Sequence, residues 1–332
     1  MIIRLTACLL AIIILISGCS LTTNPSTPKK QWTLMLYLDG DEQAMQEDFL
    51  AAFREMISAE AGSSEDVNIV VQFDRLPTVE AFGGWTIAHR FYITPGMEPT
   101  PENAIADWGD GLGGGREVDT SDPNTLSSFI SWAAANYPAE HYALLVGDHG
   151  YGWQGLVIDM TSKGNFMPLK GLRSALVNAG VRFDVLALDA CLMAMIEVLH
   201  ELRDAPVDIV VASENSGTTW DLANVIKTVT ASPSITAEAF GRQMVDLYFA
   251  HHFGDPQITL SALRIAKAQD VSNAVKDLAA EILASSALTT IQTKAAEVMD
   301  NIEAAVVYNR TGASWEGCAG ISIYFPTAST GT

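Results

Sequence analysis

Two short stretches of this chain hold residue types that could do covalent chemistry. One reads Gly147-Asp148-His149-Gly150 and the other Asp189-Ala190-Cys191. A thiol beside an imidazole is the minimum for nucleophilic cysteine catalysis. The thiolate is the nucleophile, and a nearby His or helix N-terminus favours it. Each residue alone has a plainer reading. Free cysteine is among the most buried residue types, so Cys191 could be core filling. His149 could be a turn residue in a glycine-rich loop. Their joint placement at the ends of apolar runs shifts the balance toward a site. Asp189 adds to this, because an unpaired acid pointing the same way as the thiol would oppose thiolate formation. An acid awaiting a cationic side chain explains it better than core packing does. A third apolar run ends at Ser213-Glu214-Asn215, which makes Ser213 and Glu214 candidate substrate contacts.

These residues need elements that bring them to one place. Tyr142 to Val146, Asp184 to Leu188 and Asp208 to Ala212 are short apolar runs of strand type. In a parallel sheet their C-terminal ends share a rim, which is where open α/β sheets bind ligands. Trp32 to Leu38, a helical pattern over Met45 to Ala59, and Val67 to Phe73 form a βαβ unit, so a parallel sheet is expected. Trp85 to Ile93 reads as a further strand, of a kind that suits an antiparallel edge, and residues 94–122 as a long surface loop. Helices are expected over Asn124 to Asn136, Leu169 to Ala179, Leu192 to Leu202, Ala237 to His251 and Ile265 to Val307. Late strands are expected over Ile258 to Leu263 and Ile321 to Phe325. The fold class is a three-layer α-β-α sandwich with a mostly parallel sheet. A helix from Leu192 would place its N-terminus, with free backbone N–H groups, just behind Cys191.

Bulk composition narrows the function. The chain has 332 residues, 48% of them hydrophobic, with 19 Lys and Arg against 39 Asp and Glu. A net charge of −20 disfavours nucleic acid, which needs a basic footprint. A Gly-rich phosphate cradle at 109–115 lacks the Lys-Ser/Thr that would follow it. Metal readings at His149 with Asp148, or at His251-His252 with Asp255, lack a ligand spacing set, so no transition-metal centre is expected.

The first residues read as processing signals. Residues 1–18 hold one early charge, Arg4, and an apolar run from Leu9 to Ile16, too short to span a bilayer comfortably. The ending Leu15-Ile16-Ser17-Gly18-Cys19 resembles a bacterial lipoprotein signal, which makes Cys19 the lipid acceptor and predicts an extracytoplasmic, membrane-anchored protein. Ser20 favours the outer membrane by the same resemblance. Residues 19–31 are Ser-, Thr- and Pro-rich and read as a tether, with one domain over residues 32–332. Only Cys191 and Cys318 remain in that domain, so it is no disulfide scaffold. Cys318 reads as core.

The stretches "WTLMLYLDGDEQAM", "VNIVVQFDR", "YALLVGDHGYGW", "DVLALDACLMAMIEVLHEL", "VVASENSG" and "GISIYFP" resemble, in order, the clostripain family of cysteine peptidases. The resemblance runs from about Trp32 to Pro326 and implies a caspase-like fold. It implies that His149 and Cys191 form the dyad and that the backbone N–H groups of Gly150 and Cys191 form the oxyanion hole. Asp189 would sit at the base of the pocket for Arg or Lys before the scissile bond. Substrates would then be proteins or peptides, and a monomer is expected. Many members are cut between the His and Cys segments, and Lys163-Gly164 is the best candidate bond here. No cofactor is required for this chemistry. Some members use calcium, for which Asp39, Asp41, Asp107 and Asp110 are the available acids. The chain departs from the pattern at Gly147 (usually bulkier), at Tyr151 (usually Gly) and over Ser216 to Asp221. Altered specificity, or a catalytically silent binding lipoprotein, are the alternatives.

Overall fold

The computed structural model describes residues 28–76 and 80–324. Residues 1–18, read above as a signal, together with Cys19 and Phe325 lie outside the described residues.

The parallel part of the sheet is built from β1 (Lys30–Gly40), β2 (Val67–Arg75), β4 (Ala139–Gly147), β7 (Phe183–Asp189) and β8 (Val207–Ala212). β1 starts at Lys30, so the last two residues of the expected tether belong to the sheet. β3 (His89–Tyr92) pairs antiparallel with β2 at one edge, as expected of an edge strand. At the other edge β9 (Thr259–Arg264) runs antiparallel to β8, and β10 (Val306–Thr311) antiparallel to β9. The order is β10-β9-β8-β7-β4-β1-β2-β3.

The central strands are apolar throughout because both of their faces are covered. In β1, Met35 and Tyr37 enter one core, while Leu34, Leu36 and Leu38 enter the other. The first core is closed by α2 (Pro123–Asn136), α3 (Leu169–Asn178), α4 (Ile196–Leu202), α7 (Ala268–Leu283) and α8 (Leu288–Ala305). The second is closed by α1 (Gln43–Ser58), α5 (Leu222–Ala231) and α6 (Ala237–His251). The expected three-layer sandwich is the fold.

Several elements differ from the sequence reading. The expected single helix over Ile265 to Val307 is a 3-10 turn at Ile265–Lys267 and then two helices broken at 284–287. Ser285 there takes φ of 54°, which no helix continues through. Val306 and Val307, β-branched, begin β10 instead. The final expected strand reduces, in its described part, to one bridge between Met195 and Ser322. A hairpin of β5 (Leu156–Asp159) and β6 (Asn165–Met167) and the helix α5 went unread. The helix expected from Leu192 starts at Ile196.

Candidate active site

Adjacent strands β1, β4 and β7 end level with one another. Leu38 pairs with Gly147, and Gly147 with Asp189. The His149 and Cys191 loops therefore leave the same rim side by side. The Asp148 N–H donates to the Asp189 carbonyl at 3.1 Å, tying the two loops at their roots. Gly150 explains how close they come. A Cβ there would sit 2.2 Å from the Cys191 carbonyl oxygen and 2.6 Å from its nitrogen. Only glycine fits. The close approach that Gly150 permits is to the Cys191 backbone. Neither the Gly150 nor the Cys191 N–H has an acceptor among the described residues.

Gly147 has its own packing reason. A Cβ there would meet Leu38 and the Phe49 ring at 3.0 Å each. The space that a larger side chain would need at this position is taken by Leu38 and Phe49.

The rim holds a cavity of about 150 Å³ walled by Met45, Asp48, Asp148, His149, Asp189, Ala190, Cys191 and Gly217 to Thr219. His149, Cys191 and Asp189 are together, as the strand-end argument requires. Asp189, only 6% exposed, is buried at this wall. Burial, then the nearby Asp48 and Asp148, push its carboxyl well above the usual carboxylate range. The Trp220 N–H, donating to it, pulls the other way. Asp148 is pushed up to about 8, mainly by burial. Three acids around one small cavity with no Lys or Arg in its wall make a site suited to a cationic side chain.

The support for the thiol differs from expectation. Residues Leu192 to Met195 separate Cys191 from the start of α4, so that helix N-terminus does not lie directly behind the sulfur. Those residues form a turn held by Leu192 N–H to the Asn215 carbonyl and Ala194 N–H to the Ser213 carbonyl. Leu192 takes φ of 65°, a left-handed conformation costly for a bulky side chain. The donor that does reach the sulfur is the Gly217 N–H, at 3.2 Å from Cys191 Sγ. That N–H fixes where the sulfur sits at the cavity wall.

Ser213 and Glu214 do not wall the cavity. Ser213 is buried and bonded to Thr259, and its Oγ accepts from the Asn215 N–H. Glu214 accepts from the Gly320 N–H. Both shape the loop that follows β8 from behind. Within the stretch Ser216 to Asp221, Gly217 donates to the Cys191 sulfur and the Trp220 N–H to Asp189. Also unread were Asp48 on α1 and Glu42, whose Oε2 lies 3.8 Å from His149 Nε2. Glu42 also caps α1, accepting from the Ala44 and Met45 N–H groups. No spacing in the sequence marks either acid out.

Lys163 lies exposed at the tip of the β5–β6 turn with φ of 71°, followed by Gly164 at 68°. Of the four acids named for calcium, Asp107 and Asp110 are exposed and serve their own loop. Asp107 accepts from the Gly109 N–H, and Asp110 pairs with Arg116. Asp39 and Asp41 are buried at the rim. Cys318 is a free thiol, half-buried. No helix of the described residues is long and apolar enough to cross a membrane.

Known proteins share this architecture. A secreted C11 cysteine protease from Bacteroides thetaiotaomicron, solved with an irreversible peptide inhibitor, aligns with a TM-score of 0.70 at 16% identity, covering 91% of this chain and 95% of that one. An inactive zymogen C11 protease from Parabacteroides distasonis aligns with a TM-score of 0.63 at 18% identity, covering 90% and 93%. These likenesses establish the caspase-like α/β fold. In sequence, clostripain from Hathewaya histolytica is 28% identical over 101 residues, a match spanning 26% of this chain and only 19% of clostripain. The model of the Clostripain family matches residues 36–323. With nearly the whole described domain inside that match, the chain belongs to the Clostripain family of cysteine-type peptidases.

Proposed function

We propose that this peptidase is an endopeptidase that cleaves after Arg or Lys through a His149–Cys191 dyad. The observation that carries the reading is the cavity in which Cys191, His149 and a buried Asp189 meet. The substrate's cationic side chain enters it toward Asp189, and the following carbonyl lies over the sulfur. The Cys191 thiolate attacks that carbonyl carbon, forming the S–C bond, and the Gly150 and Cys191 N–H groups receive the developing oxyanion. His149 protonates the leaving amine as the C–N bond breaks, which leaves a thioester. It then takes a proton from water, whose attack releases the acid and restores the thiol. The Gly217 N–H holds the sulfur in place between turnovers.

The exposed Lys163–Gly164 bond, at a turn tip where chain cleavage is easiest, is the candidate for self-processing. Lipidation at Cys19 would hold the domain outside the cytoplasm, on the outer membrane by its Ser20. Mass spectrometry of the mature N-terminus tests that anchor: a diacylated Cys19 is expected, and an unmodified terminus elsewhere excludes it.

The test of the chemistry is a Lys- or Arg-directed acyloxymethyl ketone probe applied to wild type and to Cys191→Ala. Labelling and Arg/Lys cleavage that vanish in the variant are expected. Absence of both from wild type would sink the peptidase reading. Cleavage only after other residues would sink the role given to Asp189.

A further inference from the structure

Helix α1 does not start on one of the residues that cap a helix best, which are Ser, Thr, Asp and Asn. Its cap is Glu42, in extended conformation with φ of −124°. Glu42 Oε2 accepts from the Ala44 N–H at 3.0 Å and from the Met45 N–H at 3.3 Å. Those two bonds fix a side chain that would otherwise turn freely, and the helix dipole favours its charge. The turn beneath it is fixed as well. The Asp41 N–H donates to Asp39 Oδ1 at 2.9 Å, and the Gln46 N–H to the Glu42 carbonyl at 2.9 Å. Capping alone does not account for a Glu here. The same Oε2 lies 3.8 Å from His149 Nε2. Strand pairing brings the two together, because Glu42 follows β1, His149 follows β4, and Leu38 of β1 lies opposite Gly147 of β4.

The imidazole has need of such a neighbour. The main chain of His149 is tied down, its carbonyl accepting from the Val157 N–H at 3.0 Å. Its ring is not. Among the described residues the contact with Glu42 is its ion pair, and no hydrogen bond or ring stacking holds it otherwise. Asp148, adjacent in sequence, is committed to the N–H groups of Ile158 and His149. The other titratable groups around the ring are Tyr151 on its own loop, Asp48 on α1, and Asp189 with Cys191 after β7. None of these bonds to it.

We infer that Glu42 is the positioning residue of His149, a role that rests on the His149–Cys191 dyad proposed above. A base oriented by a third group is the general form of an activated nucleophile. With Nε2 turned to a carboxylate, the ring proton stays on that nitrogen, and Nδ1 is the one left for Cys191. Nδ1 takes the proton from Sγ and later gives it to the leaving amine. Between those steps the ring is an imidazolium, and Glu42 faces its positive charge. At 3.8 Å the contact is longer than a hydrogen bond, and catalytic contacts of a free enzyme often tighten only once substrate is bound. The two side chains are 40% and 39% exposed, which leaves them room to close. A ring without this partner presents Nδ1 only part of the time, so its loss falls on the chemical step and not on substrate binding.

The test uses the full chain and the peptide that the wild type cleaves best. Glu42→Ser supplies a capping oxygen of a preferred type, and an exposed ion pair contributes little to stability, so Tm should stay at or above the wild-type value. Its kcat should fall about 30-fold while KM stays within about twofold. Glu42→Gln keeps the length and an accepting oxygen and loses the charge, so it should lose less, about fivefold. Wild-type kcat in both variants would overturn the role. So would losses of kcat that track a drop in Tm, which would leave Glu42 as a cap and nothing more. Alkylation of Cys191 by iodoacetamide reads the dyad without any substrate, and His149→Ala should slow it about tenfold or more. If it does, and Glu42→Ser keeps wild-type kcat, the role of Glu42 falls alone. Unslowed alkylation in His149→Ala, or a wild type that cleaves no peptide, would remove the dyad and this role with it.

Discussion

At the scale of single residues, the site sets a buried acid two positions before a nucleophile. Asp189 is held high by burial and by Asp48 and Asp148, so in the free molecule it is an uncompensated acid. A bound Arg or Lys side chain compensates it. Asp189→Asn keeps an oxygen to accept the Trp220 N–H but removes the carboxyl that ionises against a bound cation. We expect kcat/KM on Arg and Lys peptides to fall about 100-fold or more, with Tm at pH 8 unchanged or higher. An unchanged ratio of Arg to neutral-residue cleavage would refute the pocket assignment. Gly150 is the other residue with a sharp consequence. Any Cβ there collides with the Cys191 backbone at 2.2 Å, so Gly150→Ala must push the two loops apart. Loss of about 100-fold or more in kcat should accompany about 2 kcal/mol of destabilisation, read by burst titration and denaturant melts. Full probe labelling with native stability would show that the loops need not touch.

At the scale of elements, the sequence made the strands plain and several joins obscure. Runs such as Leu34 to Leu38 are legible because both faces of the sheet are covered, so every position is apolar. The start of α4 was not legible for a related reason. Leu192-Met193-Ala194-Met195 is as apolar as the helix after it, and three of the four are buried. Apolar pattern reports burial and not backbone conformation, and here the backbone bonds to residues 213–215 instead. The α7–α8 break hides similarly inside a small-residue stretch, Ala284-Ser285-Ser286-Ala287. The buried acids at the ends of β1 and β2 were half seen: Asp39 and Asp41 stand out in the sequence, and only the fold brings Asp74, Glu117 and Asp159 to Asp41. The β5–β6 hairpin escaped because its strands are four and three residues long. Its turn carries a testable role. If the Lys163–Gly164 bond is the processing site, incubated wild-type protein should resolve into two fragments on a denaturing gel. Lys163→Ala and Cys191→Ala should each stay single. Two fragments from the Lys163 variant, cut at the same place, would remove Lys163 from the pathway.

At the scale of the whole molecule, buried acids at the carboxyl rim set how stability responds to pH. Asp148 is 4% exposed and its carboxyl is pushed up to about 8, chiefly by burial, while backbone N–H groups of Ile158 and His149 lower it. Asp189 moves in the same direction for the same leading reason. The sign follows from proton binding. In the unfolded chain an Asp ionises near pH 3.9, whereas folded Asp148 keeps its proton to about 8. Across that window the folded state binds more protons, so stability falls as pH rises and levels off above the folded value. In EDTA, Tm should therefore drop between pH 5 and pH 8 at constant ionic strength. Asp148→Asn, which retains an oxygen for the Ile158 N–H, should shrink that drop. A Tm that rises over this window, or a drop that Asp148→Asn leaves intact, would mean that the carboxyl is ionised and paid for in the folded chain by some group other than its own proton. The expected behaviour fits a scaffold that keeps its rim acidic for a cation arriving from outside, the substrate side chain at Asp189.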